Sequence, residues 1–265
     1  MNRFFHTTAT VRTTRAAATT LGVILCGSSV AMAQSTPSAS GSESQWSLGL
    51  GAASVQKAYR DIDRDNTPLP ILNFENKWVS VGVPRVDVKL YTSPALSFRL
   101  RARYAGDGYE SEDSPYLAGM DERKGSVWAG GAAIWKNDIA NVSAELLGDA
   151  SGNSKGSRFK LQVDHRFGMG SFGITPRLGA EFYDRKYVEY YYGVKASEAT
   201  ATRSAYQGDS STGVEAGLRV DYSPARQHTV FLDLGVTGYG DAIKDSPLVE
   251  KSSQSRVSVG YIYRF

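Results

Sequence analysis

Between Leu96 and Tyr104 the chain alternates without a break: Leu96, Phe98, Leu100, Ala102 and Tyr104 leave one face of an extended segment, and Arg99, Arg101 and Arg103 leave the other. Three guanidinium groups at a two-residue spacing fit neither an apolar core nor a lipid-facing wall. On a membrane wall each would cost up to about 2–4 kcal/mol near the midplane. The arginine face therefore needs water or acidic partners, while the opposite face needs apolar surroundings.

The same period runs through the rest of the chain after Trp46. Val257, Val259, Tyr261, Tyr263 and Phe265 oppose Gln254, Arg256, Ser258 and Arg264, and Val214, Ala216, Leu218, Val220 and Tyr222 oppose Glu215, Arg219 and Asp221. Phe159, Leu161, Val163 and Phe167 oppose Lys160, Gln162, Asp164 and Arg166. Strands are predicted near 46–56, 69–76, 78–91, 96–105, 126–136, 141–149, 157–167, 172–184, 213–223, 228–239 and 253–265. Tight connections at 92–95, 168–171 and 223–226 alternate with long ones at 107–124, 186–211 and 240–252, as in an outer-membrane barrel.

A soluble sandwich or lipocalin-like barrel alternates too. Charge density on the polar face, an export signal and a terminal aromatic favour the membrane. Trp46, Trp78, Trp128, Trp135, Tyr104, Phe182, Tyr222, Tyr261 and Tyr263 lie toward strand ends, as interfacial girdles do. Tyr261, Tyr263 and Phe265 form the kind of C-terminal signal that the barrel assembly machinery of Gram-negative bacteria takes up. The expected fold is all-β, an antiparallel transmembrane β-barrel. At about 20 residues per strand and connection, roughly 220 residues give about eleven strands, hence ten or twelve.

The first residues set the compartment. Arg3, Arg12 and Arg15 precede an uncharged stretch containing Leu21, Val23, Ile24 and Leu25, and Ala31, Met32 and Ala33 supply an A-x-A site. Residues 1–33 read as a signal peptide cleaved after Ala33, residues 34–45 as a disordered polar tether, and residues 46–265 as one barrel domain. The whole chain carries 30 basic and 27 acidic residues. Three of the arginines leave with the signal, so the remainder is near neutral and gives no reason to expect nucleic acid. Cys26, the single cysteine, leaves as well, which removes disulfide and thiol chemistry.

No cofactor motif, phosphate loop or metal-ligand cluster is visible, and an enzyme is not expected. His165 and His228 are the only histidines after the signal. His165 follows Asp164 on a strand, so their side chains leave opposite faces. The lumen-facing charges Arg99, Arg101, Arg103, Lys160, Arg166, Arg177 and Arg219 stand against Asp87, Glu145, Asp164, Glu181, Glu215, Asp221 and Asp233. They read as a salt-bridged filling, with a narrow anion-preferring channel as the alternative.

Several stretches in order resemble the MipA/OmpV family. They are Pro68-Leu69-Pro70 leading into Asn73-Phe74-Glu75, Asp121-Glu122-Arg123-Lys124, Gly148-Asp149 with Ser154-Lys155-Gly156, Tyr190-Tyr191-Tyr192-Gly193-Val194 with Glu198-Ala199, Asp245-Ser246-Pro247-Leu248-Val249, and Gly260 to Phe265. The segment Tyr59 to Asp65 departs from the glycine-containing turn usual there. The resemblance implies an outer-membrane barrel and a scaffold that links a membrane-bound murein lytic transglycosylase to a bifunctional penicillin-binding protein. Adhesion through the long loops is a third possibility. The three tyrosines are expected at the outer rim, alternate rings packing on the mouth and at the lipid interface.

Overall fold

The computed structural model describes residues 44–265 apart from Asp63; the signal and all but the end of the tether lie outside the described residues. Gln45, placed in the tether by its composition, is already paired with Glu75. The strands are β1 (Gln45–Gln56), β2 (Asp65–Glu75), β3 (Val79–Gly82), β4 (Arg85–Thr92), β5 (Leu96–Ala105), β6 (Ser126–Lys136) and β7 (Asn141–Asp149). They continue with β8 (Ser157–Asp164), β9 (Phe167–Met169), β10 (Phe172–Tyr183), β11 (Ser211–Ala225), β12 (His228–Tyr239) and β13 (Ser253–Arg264). Two short helices, α1 (Arg185–Tyr192) and α2 (Asp241–Lys244), lie in the long connections.

Each strand pairs antiparallel with its neighbours, and β1 joins β13 over Ser47↔Arg264 to Gln56↔Ser255. β8 and β9 both pair with β10 and occupy one position in the wall, interrupted at His165 and Arg166, so the closed barrel has 12 strands. The expected single strand at 78–91 is two. Gly82, Val83 and Pro84 break it, because a proline cannot donate to a ladder and a hairpin forms instead. That extra strand is the difference between eleven predicted segments and twelve.

At the β1–β13 joint, a Cβ on Gly49 would stand 2.2 Å from the Tyr261 carbonyl oxygen. Only glycine permits that approach. The two faces of the wall are divided as the alternation demands. Leu50 is 73% exposed and Leu178 64%, with Val88, Leu100, Val214 and Val259 exposed beside them, whereas the arginines and acids of the same strands are buried. Aliphatic outside and charged inside is the reverse of a water-soluble barrel. The long connections all lie at one end, and the tight turns at 76–78, 93–95, 137–140, 170–171 and 226–227 at the other.

Trp46, Trp78, Trp135 and Tyr261 are exposed, but Trp128 is not part of the girdle. It faces inward, fully buried, because its neighbour Val127 takes the outer position.

The outer face generates a direct expectation. Leu50→Arg should destabilise the folded barrel in lipid vesicles by about 2–4 kcal/mol in urea unfolding, since a cation would sit on the hydrocarbon side.

Candidate functional site

The interior is built from ion pairs that reach across strands. Asp87 on β4 accepts from Arg101 Nε and Nη2, both at 2.8 Å, and from Arg99 Nη1 at 3.3 Å. Arg101 Nη1 extends to Glu145 at 2.7 Å. That reach passes over β6, where the inward residues Gly130 and Ala132 are small. Glu145 also holds Arg103 at 3.0 Å, and Arg103 meets Glu181 at 3.4 Å. Glu181 accepts from Arg158 Nε at 2.5 Å, and Arg158 Nη1 continues to Asp107 at 2.9 Å.

A second chain runs from Lys160 to Glu215 at 2.6 Å, from Glu215 to Arg177 Nε at 3.1 Å, and from Arg177 to both oxygens of Asp233 at 2.8 and 2.9 Å. A Cβ on Gly217 would lie 2.4 Å from the Arg177 guanidinium carbon. Glycine there is what lets the side chain cross β11. Arg219 holds Asp221 at 2.8 Å and lies over the Phe231 ring at 4.0 Å, and Arg166 reaches the other Asp221 oxygen at 2.5 Å. Asp164, expected among these acids, bonds instead to Asn141 and Gln162. Paired charges of this kind contribute little net stability, but removing one partner leaves a buried charge alone.

Above the ion pairs the long connections pack into a plug. Asp184 caps α1 by accepting from the Tyr187 N–H at 2.9 Å and also holds the Ser157 N–H. The helix turns Tyr187, Val188, Tyr191 and Tyr192 inward, where they are buried with Tyr59, Tyr109, Trp128, Ile243 and Leu248. The three tyrosines therefore follow a helical and not an alternating period. Tyr191 and Tyr192 enter the plug, Tyr190 stands at its edge near Arg123, and none of them meets lipid as expected from a strand-like reading.

The separate sequence motifs meet here. The Tyr59 hydroxyl donates to the carbonyls of Asp107 and Tyr191, each at 3.1 Å, and Tyr59 pairs with Val249. Ser246 Oγ donates to the Tyr192 carbonyl at 2.6 Å, while the Pro247 carbonyl accepts from Arg60 Nε at 3.4 Å. The Asp245 N–H closes α2 on Asp241. Gly193 ends α1, where a Cβ would strike the Glu189 carbonyl at 2.3 Å, and Val194 pairs with Tyr206. Arg123 Nη2 holds both oxygens of Glu198 at 2.9 and 2.8 Å and its Nε donates to the Tyr190 carbonyl at 2.7 Å.

Burial raises the pKa of Tyr59, Tyr109, Tyr187, Tyr191 and Tyr192, so these rings stay neutral donors. Burial also pushes Glu198 up, but the backbone N–H groups of Lys195 and Asp121 and the Arg123 guanidinium more than offset it and hold the carboxyl below its usual 4.5. Between plug and ion pairs lies a cavity of about 50 Å³ lined by Lys57, Tyr59, Asp107, Arg158, Lys160 and Tyr192 among others, room for a few waters at most.

Sequence reasoning passes over Asp107, Arg158 and Tyr187, names Tyr59 only as a departure from the family's turn, and puts Trp128 in the girdle. Arg158 was within reach, since it shares the inward parity of Lys160. The inward direction of Trp128 follows from its alternation with Val127, whereas the roles of Tyr59, Asp107 and Tyr187 depend on how distant loops fold onto the mouth, which no period encodes. His228 Nδ1 lies 2.7 Å from the Tyr261 hydroxyl at the tight-turn end, and His165 packs on Phe167. Among the described residues no group of three His, Cys, Asp or Glu could hold a metal. The terminal Phe265 is exposed, its N–H donating to the Trp46 carbonyl at 3.1 Å.

A closed wall that is aliphatic outside and ion-paired inside, with long loops at one end only, defines an outer-membrane β-barrel protein. The chain belongs to the family described as MltA-interacting protein MipA, whose model matches residues 48–265. It is 27% identical over 236 residues to the MltA-interacting protein of Escherichia coli K12, covering 84% of this chain and 91% of that protein. It is 24% identical over 225 residues to outer membrane protein OmpV of Vibrio cholerae, covering 84% and 88%. Among solved structures, the COG4313 outer membrane channel of Pseudomonas putida F1 is similar at a TM-score of 0.40 and 11% identity, over 84% of this chain and 95% of that one. The protein resides in the outer membrane, so the long-loop end is external and the tight turns are periplasmic.

Two outcomes follow for the plug. Arg123→Ala should cost up to about 3–5 kcal/mol locally by leaving the buried Glu198 carboxylate without its counter-ion, and limited proteolysis should then cut the 184–210 and 106–125 connections first. A carboxyl with a depressed folded pKa stabilises fully above its unfolded value and loses that contribution as pH falls through the folded one. Proteolytic protection of the plug should therefore fall below about pH 4.5, and Glu198→Gln should flatten that acid dependence.

Proposed function

We propose that this protein is a sealed outer-membrane anchor that holds a murein lytic transglycosylase, and with it a bifunctional penicillin-binding protein, at the inner face of the membrane. The observation that carries the reading is the division of the molecule. Its interior is committed to its own ion pairs and its external mouth to its own packing, which leaves the periplasmic turns as working surface. The printed name of the Escherichia coli relative supports a transglycosylase as the first partner. On that surface Ile139 is 85% exposed, an apolar side chain at the tip of an otherwise polar turn. It is the most exposed large apolar side chain among the described residues.

We infer that Tyr261, Tyr263 and Phe265 serve as the signal to the barrel assembly machinery. The Phe265 and Tyr261 side chains are exposed at the periplasmic edge.

One observation favours a second reading, surface adhesion. An external depression of about 340 Å³ is lined by Arg123, Arg185, Lys186, Tyr190 and Lys195, with Glu189 as its acidic member. An acidic surface would suit it.

In-cell crosslinking followed by mass spectrometry tests the anchor. A photoreactive residue at Ile139 should capture a lytic transglycosylase, and Ile139→Asp or replacement of residues 35–44 should reduce its recovery severalfold. Recovery of no murein enzyme from any periplasmic turn would dismiss the anchor, and binding confined to the external loops would leave adhesion in its place.

A further inference from the structure

Among the described residues one stretch of the wall is incomplete. β2 pairs with β1 along its length, from Gln45↔Glu75 to Val55↔Asp65, but with β3 only at Asn73, Phe74 and Glu75. β3 ends at Gly82, and β4 follows β5 no higher than Arg85↔Arg103. Above the Val83–Pro84 turn, no strand among the described residues pairs with the far edge of residues 65–71. The lower corner of this notch is tied by two bonds, Val83 N–H to the Leu72 carbonyl at 3.3 Å and Tyr104 N–H to the Pro84 carbonyl at 3.1 Å.

An open sheet edge facing hydrocarbon is costly, and closed barrels normally have none. The sequence reduces that cost at this place. The Leu72 carbonyl points toward β3, so Pro70 and Pro68, on the same alternation, direct their backbone toward the notch. Neither carries an N–H, and the edge there offers carbonyl acceptors without donors. It cannot serve as the template for another chain's strand, which excludes a protein partner by strand addition.

The surroundings are those of a lipid site. Pro68 and Pro70 are exposed and pair with Ala52 and Leu50, continuing the aliphatic outer belt. Leu69 and Ile71 are half-buried on the inner side, and Ile71 approaches Gly260 beside the Phe231 ring. This part of the inner wall is apolar where the opposite wall is charged. Behind it, Lys57 Nζ donates to the Gly108 carbonyl and the Tyr59 hydroxyl to the Asp107 carbonyl, both at 3.1 Å, bridging from the first loop to the chain above β5.

We propose that the notch is a lateral binding site for an outer-leaflet amphiphile. Its acyl chain lies against Leu69 and Ile71, and a hydroxyl or amide of its head donates to the carbonyls of the proline edge. Lys57 and Tyr59 form the back wall that keeps the chain out of the charged interior.

Photocrosslinking in nanodiscs decides the matter. Benzophenone-alanine is placed at Leu69, at outward-facing Leu50 as a lipid-facing reference, and at Gln162 on the charged inner wall; heat-modifiable migration verifies folding. Phosphatidylglycerol nanodiscs should give a phospholipid-mass adduct at Leu69 and Leu50 but not at Gln162. The Leu69 adduct should fall severalfold in phosphatidylcholine, whose head has no donor. An adduct at Leu50 alone overturns the site, and equal Leu69 yields in the two lipids overturn the role of the carbonyl edge. Should the benzophenone variant fail to fold, a spin label on Leu69→Cys reads the same question. Relaxation by oxygen exceeding that by a water-soluble nickel chelate supports the site, and the reverse overturns it.

Discussion

A guanidinium group that cannot face lipid must be matched inside, and most of this molecule's interior is the working-out of that constraint. Arg99, Arg101 and Arg103 rise along one strand, and Asp87, Glu145 and Glu181 on β4, β7 and β10 answer them. The distances work only because the intervening inward positions are small, as at Gly130 and Gly217. The network is thus distributed between charged strands and the glycine and alanine strands that let them touch. Its contribution is better described as mutual dependence than as stability, since a buried pair is roughly neutral while a broken one is not.

The plug depends on the barrel beneath it and closes it in turn. Asp184 at the top of β10 starts α1, and the helix then lays Tyr187 and Tyr191 beside Trp128, with the Arg158 guanidinium over the Trp128 and Tyr187 rings. Arg158 is also the last cation of the first ion-pair chain, so the aromatic plug and the charged interior share a residue. Tyrosine suits this junction because one end of the ring packs and the other supplies a donor to an otherwise unpaired carbonyl. Tyr59 performs both tasks, stacking on Tyr192 while its hydroxyl bonds to two loop carbonyls.

The wall was legible in the sequence because a two-residue period is a local property. Alternation located the long strands to within a few residues and assigned the faces of Arg99, Arg101, Arg103, Glu215, Arg219 and Asp221. It failed at 78–91, where the hairpin is set by Pro84 and not by hydrophobicity, and at Trp128, whose inward direction follows from parity but was outweighed by the habit of tryptophans at membrane interfaces. Family resemblance marked Tyr190 to Val194 and Asp245 to Pro247 without saying what they do. Their common purpose became visible only when both stretches were found folded over the same opening, held by Ser246 on the Tyr192 carbonyl.

Ion pairs cross the interior of the barrel and the plug covers its external mouth, and single-channel recording in planar bilayers reads that state directly. Purified protein at neutral pH should insert without producing steady conductance steps. Regular open-channel steps from the wild-type chain, surviving removal of contaminating porins and selective for anions, would contradict it and return the arginine strand to the lining of a pore.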